Sequence, residues 1–189
     1  MEKELEQRPC EVLKIVLFGP ESTGKTTLAK LLADHYQTHW VPEFMREYLQ
    51  EKWDLHKQTC EPKDILPIAR GQMKAENELA KTANKLLFCD TNLLVLKIYS
   101  EIYYNGFCEP QLLKYALNNW YDLYFLTNID TPWVADDLRD KPHDREGMFK
   151  SFKNALLENN QPFIILNGSL DQRMETATAA IDKLLKQKN

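Results

Sequence analysis

The chain has 189 residues, of which 43% are hydrophobic and 28% are charged, and its formal net charge is −4. This length allows one domain with a substantial core, and a mildly acidic balance argues against a nucleic-acid or membrane-surface partner. No apolar run approaches the length of a membrane span, and Met1–Arg8 lacks the charged and then apolar pattern of a signal segment. We therefore expect a cytoplasmic globular protein without a nucleic-acid or membrane partner, and the sequence leaves its oligomeric state open.

The first predicted strand, loop and helix form the most informative stretch of the chain. After a charged, flexible lead-in over residues 1–11, Val12–Phe18 has the β-branched and apolar composition of a buried strand. Gly19–Thr26 then fits the phosphate-loop pattern G-x-x-x-x-G-K-[ST]. The helix that follows presents one apolar face, made of Leu28, Leu31, Leu32 and Tyr36. The motif therefore lies in the strand–loop–helix context that it requires.

The residue types of this loop suit a polyphosphate. Gly19 and Gly24 let the backbone wrap closely, so that its N–H groups can form an anion nest at the positive end of the helix dipole. We expect Lys25 to reach the β- and γ-phosphates and the Thr26 hydroxyl to ligate Mg²⁺. The chain lacks the guanine-reading pattern N-K-x-D, which favours ATP over GTP. The predicted ATP-binding set is Gly19, Glu21, Ser22, Thr23, Gly24, Lys25, Thr26 and Thr27.

Strands and helices alternate along the rest of the chain. The further predicted strands are Thr38–Val41, Lys85–Asp90, Leu123–Thr127 and Pro162–Leu166. The further predicted helices are Glu43–Leu49, Asp64–Asn84 (which Pro67 delays or kinks), Leu93–Tyr104, Glu109–Trp120, Glu146–Glu158 and Asp171–Lys186. Lys52–Pro62 has the composition of a mobile loop. This alternation predicts an α/β fold of the P-loop NTPase type, a five-stranded parallel sheet with helices on both faces, in a single domain over residues 12–189.

Three charged residues follow predicted strands at the edge where a doubly wound sheet binds its ligands. Asp90 ends its strand and could hold Mg²⁺ directly or through water, so we predict a metal-binding or catalytic role. Glu43 could accept a proton from a substrate hydroxyl, and Arg46 could pair with it or with the transferred phosphoryl group. The alternative for Glu43 and Arg46 is a surface ion pair at positions i and i+3.

The polar segment Asp130–Arg145 carries two more candidate catalytic residues. Arg139 and Arg145 lie among several aspartates and two prolines, a composition that suits a mobile lid. An arginine on such a lid can close over a triphosphate and stabilise charge during phosphoryl transfer. The alternative is a solvated, self-neutralising charged loop, and the residue types do not decide between the two.

Four segments, taken in order, resemble the kinase domain of the NadR-type proteins: G-P-E-S-T-G-K-T, P-E-F-M-R-E-Y, F-C-D-T-N and P-W-V-A-D-D-L-R. That domain is a nicotinamide riboside (ribosylnicotinamide) kinase among the P-loop kinases related to the AAA-type ATPases. The resemblance extends from about Leu13 to about Leu185. It implies a five-strand parallel core, ATP with Mg²⁺, and a nucleoside 5′-hydroxyl as the phosphoryl acceptor.

The resemblance implies roles for the residues that would lie near the phosphates of ATP. It implies that Lys25 and Thr26 hold phosphates and metal, and that Asp90 is the acid at the end of the third strand. Arg139 matches the arginine of the family's lid, and Arg145 is a looser match.

On the acceptor side, Glu43 and Arg46 match the family segment W-E-Y-x-R-E, and Gln72 lies in a helix whose glutamine can face the acceptor. The chain also departs from the family in an informative way. Complete NadR-type proteins carry an adenylyltransferase domain with an H-x-G-H motif, which this sequence lacks. We therefore do not expect it to adenylate nicotinamide mononucleotide.

The sequence thus favours an ATP-dependent small-molecule kinase that phosphorylates the 5′-hydroxyl of nicotinamide riboside to give nicotinamide mononucleotide in NAD salvage. Two alternatives stay open at this point. One is a P-loop kinase with another acceptor, such as a deoxynucleoside, and the other is an ATPase that switches a protein partner. The residues alone also leave open whether Glu43 or Asp90 acts as the base.

Overall fold

A computed structural model describes residues 3–138 and 144–188 of the chain. Within them, five parallel strands form one sheet in the order β2-β3-β1-β4-β5. The strands are β1 Leu13–Phe18, β2 His39–Val41, β3 Leu86–Asp90, β4 Leu123–Thr127 and β5 Phe163–Leu166. The prediction of a five-stranded parallel sheet is confirmed. β1 lies at the centre, paired with β3 on one side and β4 on the other.

Seven α-helices cover this sheet within the same described residues. They are α1 Lys25–His35, α2 Phe44–His56, α3 Ile65–Leu79, α4 Leu93–Tyr103, α5 Pro110–Asn118, α6 Arg145–Glu158 and α7 Leu170–Lys188. None of them is long and apolar enough to cross a membrane. Alternate residues of β1 pack against opposite helix layers, because successive side chains of a strand point to opposite faces. Leu17 joins a cluster with α1 and α7, whereas Val16 joins one with α4 and α6.

Two helix boundaries differ from the predictions. The predicted mobile loop Lys52–Pro62 is helical over its first part, because α2 continues to His56 and ends where Lys57 adopts a left-handed conformation. In α3, Pro67 neither delays nor kinks the helix, since it lies in the first turn, where its missing N–H has no intrahelical acceptor. The helix ends at Leu79 rather than at Asn84.

The start of the described chain packs on the domain, which differs from the flexible lead-in that we expected. Leu5 is fully buried and joins a cluster with α3 and α5. Its carbonyl accepts a hydrogen bond from the Asn119 side chain at 3.1 Å, and the Arg8 N–H donates to Asn77 Oδ1 at 2.8 Å. The charged composition of this segment gave no indication that one apolar side chain, Leu5, would be buried.

A buried acid on α3 joins this segment to the sheet. The Glu76 carboxylate accepts hydrogen bonds from the Lys14 ammonium at 2.7 Å, the Tyr121 hydroxyl at 2.8 Å and the Gln7 amide at 2.8 Å. Burial alone would lower the pKa of Lys14, but the charge and the hydrogen bond of Glu76, with smaller contributions from two cysteines, together outweigh burial and raise the pKa. Lys14 therefore stays charged inside the protein, and its charge is compensated by Glu76.

Replacing Glu76 with glutamine should leave the Lys14 ammonium buried without a counter-charge. We expect Glu76→Gln to lower the free energy of unfolding by about 3 kcal/mol, measured by urea denaturation. The matched control is Glu78→Gln, an exposed position on the same helix, which should cost less than about 1 kcal/mol. Equal losses in the two variants would show that the buried pair contributes no more than a surface pair.

Candidate active site

The candidate site lies where the strand order reverses, at the carboxyl ends of β1 and β3. Open parallel sheets bind ligands at such a switch point, since the flanking connections run to opposite faces there. Gly19–Thr26 leaves the end of β1, and Asp90 ends β3 in register with Leu17. The architecture therefore brings the predicted phosphate loop and the predicted acid together.

Two glycines give the loop its shape. Gly19 has φ 135°, and a Cβ there would lie 2.8 Å from Thr127 Oγ1, so a side chain would displace the loop from β4. Gly24 has φ 84° and precedes the first residue of α1, a left-handed position that other residues adopt at a cost. The Thr23 and Thr127 hydroxyls lie 2.6 Å apart beneath the loop. The loop is thus held against β4 while its backbone enters α1.

The loop lysine and threonine already make contacts across the site. The Lys25 ammonium donates to the Pro20 carbonyl at 2.7 Å, which closes the loop on itself. The Thr26 hydroxyl donates to Asp90 Oδ2 at 2.5 Å. Asp90 Oδ1 is buried and has no hydrogen-bond partner among the described residues. Burial raises the pKa of Asp90, although the Lys25 charge opposes that shift.

These residues fit a magnesium ion. Mg²⁺ is usually held by one or two protein oxygens together with substrate phosphates. Thr26 Oγ1 and the orphaned Asp90 Oδ1 offer two such oxygens beside the phosphate loop. No group of three or more acidic, histidine or cysteine side chains within the described ranges could hold a metal by itself. Phosphate oxygens would therefore have to complete the coordination.

A cleft of about 630 Å³ extends from the loop toward α2 and α4. This volume lies in the usual range for small-molecule sites, about 300–1,000 Å³. Residues 21–27 form one part of its lining, and a mainly apolar and aromatic set forms another. That set consists of Met45, Leu49, Thr59, Cys60, Ile65, Leu96, Tyr99, Ser100, Tyr103 and Tyr104. The two parts adjoin at Tyr99, whose hydroxyl makes a hydrogen bond with the Glu21 backbone. A charged nucleotide end and an aromatic end therefore share one cavity.

Glu43 lies between these two ends. It is half-buried, lines the cleft and directly precedes α2. The pKa of Glu43 is raised to about 7, first by burial and then by the nearby Asp90 charge, while the Lys25 and Arg46 charges oppose the shift. Its carboxyl can therefore take up or release a proton near neutral pH, as a general base must.

Arg46 does not pair with Glu43. Its guanidinium makes a bidentate ion pair with Asp136, with N–O distances of 3.1 Å and 2.6 Å. The alternative of an i, i+3 surface pair is therefore not what the structure contains. The contact joins α2 to the segment that follows β4, and the next two residues of that segment, Asp137 and Leu138, line the cleft.

The predictions for the two arginines of the expected lid, Arg139 and Arg145, have different outcomes in the structure. Arg139 lies outside the described residues, and its role stays a prediction. Arg145 begins α6, donates to the Thr131 carbonyl at 2.7 Å and the Ser22 carbonyl at 3.3 Å, and lies over the Trp133 ring. Arg145 is not part of the cleft lining. It supports the phosphate loop through its hydrogen bond to the Ser22 carbonyl.

Arg173 is a site residue that the sequence did not reveal. It is buried on α7 and donates to the Thr23 carbonyl at 2.7 Å and the Asn128 carbonyl at 3.1 Å, and it forms an ion pair with Asp130. It therefore ties the phosphate loop to the segment after β4. An arginine in an amphipathic helix normally indicates a solvent-facing position, and nothing near it in sequence marks a partner as distant as Thr23, 150 residues away.

A phosphate loop after the first strand of this sheet, with an acid ending the strand beside it, defines a P-loop protein with the fold of the nucleoside kinases. A family model described as an AAA domain matches residues 14–173, so the chain belongs to that family. The trifunctional NAD biosynthesis/regulator protein NadR of Salmonella typhimurium is 30% identical over 161 residues. That match covers 84% of this chain, and the chain spans 39% of the length of that relative.

Solved structures show the same fold. A crystal structure of a NadR protein in complex with NR has a TM-score of 0.77 and 22% identity, covering 96% of this chain and 52% of that one. A deoxyadenosine kinase from M. mycoides has a TM-score of 0.68 and 17% identity, covering 90% of this chain and all of that one. The resemblance to the NadR-type kinase domain is confirmed. At these identities the structural matches support the fold alone.

The raised pKa of Glu43 predicts a stability that depends on pH. Because folding raises that pKa from 4.5 to about 7, its contribution to stability is complete below about pH 4.5 and is lost as the pH rises through about 7. Glu43→Gln removes this loss, so it should gain about 1–3 kcal/mol relative to the wild type between about pH 5 and about pH 8. Urea unfolding without nucleotide or divalent cation measures the difference.

The control is Glu47→Gln, which removes an exposed carboxylate from the same helix. If the two variants showed the same pH-dependent difference from the wild type, Glu43 would not carry the buried charge that we assign to it.

Proposed function

We propose that this protein is an ATP-dependent kinase that transfers the γ-phosphoryl group to the 5′-hydroxyl of nicotinamide riboside. The observation that carries the proposal is the position of Glu43. It places a carboxyl of raised pKa in the same cleft as residues 21–27 of the phosphate loop, among them Thr26, which is hydrogen-bonded to Asp90. A phosphoryl acceptor bound next to Glu43 therefore lies within the cavity that also holds the phosphates.

At the nucleotide end, the loop amides and the α1 N-terminus bind the phosphates of ATP. The Lys25 ammonium has three donors, and the contact with Pro20 uses one of them, so the others can reach phosphate oxygens. Thr26 and Asp90 would hold Mg²⁺, which neutralises charge between the β- and γ-phosphates when bound. Arg145 and Arg173 act on this end indirectly, by supporting the loop carbonyls.

At the acceptor end, Glu43 accepts the proton of the attacking hydroxyl. Asp90 is less suited to this role, because its Oδ2 is engaged by Thr26 and its other oxygen adjoins the phosphate loop. A base is most effective when its pKa lies near the working pH, and Glu43 meets that condition. This division of roles assigns Glu43 to proton transfer and Asp90 to the metal.

The aromatic end of the cleft suits a flat cationic ring. Tyr99, Tyr103 and Tyr104 line it, and cations are attracted to aromatic faces and to nearby carboxylates such as Glu43. The nicotinamide ring of nicotinamide riboside carries a positive charge, unlike the bases of ordinary nucleosides. The similarity to NadR, an NAD biosynthesis/regulator protein, supports the same acceptor.

Arg46 has a partner in this structure, so a direct role on the transferred group would require it to leave Asp136. We propose that the pair helps to close the cleft once both substrates are bound, since it joins α2 to the segment after β4. Arg139 would act on the phosphates from the same segment.

A deoxynucleoside is the second candidate acceptor. The observation in its favour is the deoxyadenosine kinase fold, which aligns over its full length with this chain. Its ring would be neutral, so the same tyrosines would hold it by stacking without the charge attraction.

The deciding experiment compares acceptors in a coupled ADP-release assay. We expect nicotinamide riboside to have a higher kcat/KM than uridine, cytidine, adenosine, thymidine or deoxycytidine, because it is the one acceptor of this panel whose ring is cationic. Lys25→Ala, which removes a phosphate contact, should reduce this turnover by about 10²-fold or more and confirm that it comes from the phosphate loop.

If a deoxynucleoside had the highest kcat/KM, the proposal of a deoxynucleoside kinase would replace that of a nicotinamide riboside kinase. ADP release that no acceptor increases would point instead to an ATPase that acts on a protein partner.

The two carboxylates should respond differently to magnesium. Asp90→Asn should raise the Mg²⁺ concentration for half-maximal activity by about tenfold or more, because it weakens a metal site. Glu43→Gln should lower kcat by about 10²–10⁴-fold and leave that concentration unchanged, because it removes proton transfer alone. Titrating Mg²⁺ at saturating ATP measures both effects. A change in the magnesium requirement in Glu43→Gln alone would mean that the roles are reversed.

A further inference from the structure

The N-terminus of α2 is capped in an unusual way. Glu43 is the N-cap residue, with an extended backbone at φ −67° and ψ 101°, yet its side chain makes no capping hydrogen bond. N-cap positions favour short polar side chains that accept a hydrogen bond from the first turn. A residue that used its carboxylate in this way would hold it against the helix rather than in the cleft.

A side chain on another helix accepts the first N–H of α2. The N–H of Phe44, the first residue of α2, donates to Gln72 Oε1 on α3 at 2.8 Å. The N–H of Arg46 donates to the Glu43 carbonyl at 3.2 Å. Two of the four N–H groups that a helix leaves without intrahelical partners are therefore satisfied without the Glu43 carboxyl.

The Gln72 side chain is committed to this contact. It is buried, and its Nε2 has no hydrogen-bond partner among the described residues. The bond from Phe44 is thus the polar contact that holds this amide within the part of the chain that the structure describes. Gln72 lines a small cavity together with Met45, Thr91 and Asn92, and the last two directly follow Asp90.

Gly71, the residue before Gln72, allows the first turn of α2 to pack closely against α3. A Cβ at Gly71 would lie 2.1 Å from Phe44 Cε1, so the Phe44 ring rests directly on the backbone of α3. Glycine in the middle of a helix lowers its stability relative to alanine, so its presence there indicates a close approach. Gly71 and Gln72 together hold both the ring and the N–H of Phe44.

We propose that Gln72 is a positioning residue for Glu43: by capping the first N–H of α2 from α3, it fixes the start of α2 and therefore where the Glu43 carboxyl lies in the cleft. This inference rests on the proposed function for the role of Glu43 in catalysis. The capping itself is independent of any acceptor or nucleotide.

The capping half is tested by amide hydrogen exchange in the protein without ligands. In Gln72→Met, which keeps the length of the side chain but removes the amide acceptor, the Phe44 N–H should exchange about tenfold or more faster. The control is Asn77→Leu. Asn77 is also a buried amide on α3 that accepts a backbone N–H at 2.8 Å, but it does so from Arg8, away from the cleft. Asn77→Leu should leave Phe44 exchange unchanged.

The positioning half is tested by a double-mutant cycle on acceptor-dependent turnover. Gln72→Met should lower kcat by about tenfold with the KM for ATP unchanged, and the Gln72→Met/Glu43→Gln double variant should be no slower than Glu43→Gln within about twofold. A residue with a merely structural role would lower the double variant by the product of both effects. If Asn77→Leu lowers kcat at all, its effect on kcat should multiply with that of Glu43→Gln.

Gly71→Ala provides a second route if Gln72→Met does not fold. The added methyl displaces Phe44 while Gln72 remains, so the variant should also speed Phe44 exchange and be non-additive with Glu43→Gln.

The outcomes separate the two proposals. If the wild type shows no acceptor-dependent turnover, the proposed function fails, and Phe44 exchange still decides the capping. If Phe44 exchange is unchanged in Gln72→Met, or if the effects on kcat multiply, the inference about Gln72 is overturned even when the kinase activity is confirmed.

Discussion

The close contact between Gly19 and Thr127 is the constraint on which the site depends. The loop must pass β4 at a distance that excludes any side chain at Gly19, and it must then turn through Gly24 into α1. The rest of the site reinforces this path from outside. Arg145 and Arg173 donate to the carbonyls of Ser22 and Thr23 respectively. Held in this way, the loop can present preorganised N–H groups to a phosphate without reorganising them at the moment of reaction.

The two carboxyls that we assign to the site, Glu43 and Asp90, gain different properties from their surroundings. Asp90 ends a buried central strand and accepts the Thr26 hydroxyl, so it is tied to the phosphate side. Glu43 precedes a helix at the sheet edge and has no capping role, so it is available to a substrate. Burial raises the pKa of both. One carboxyl that lines the cleft and one that reaches it through Thr26 can therefore serve one proton and one metal, and their backbone positions decide which.

Features written into short stretches of sequence were predictable. The buried strand before Gly19 and the amphipathic helix after it made the phosphate loop recognisable, because local composition and periodicity reflect burial. Boundaries without such patterns were not. The continuation of α2 to His56 was missed, since residues 52–56 mix polar and apolar side chains without a helical period and none of the residues of α2 is buried. The packing of Leu5 was missed for the opposite reason, because one apolar side chain among charges forms no pattern.

By itself, the sequence determined the α/β class, the parallel sheet, the phosphate loop and the acid at the end of β3. Each is encoded by residues that are neighbours along the chain or lie on one strand. Only the tertiary structure decided the partners of the long side chains. It brought Arg46 to Asp136, Arg145 to Ser22, and Gln72 to Phe44. Those contacts join residues far apart in sequence, and a charged or amide side chain carries no local mark of the partner it will meet. The physical reason is that secondary structure follows from local burial and backbone preference, whereas polar contacts follow from how the helices dock.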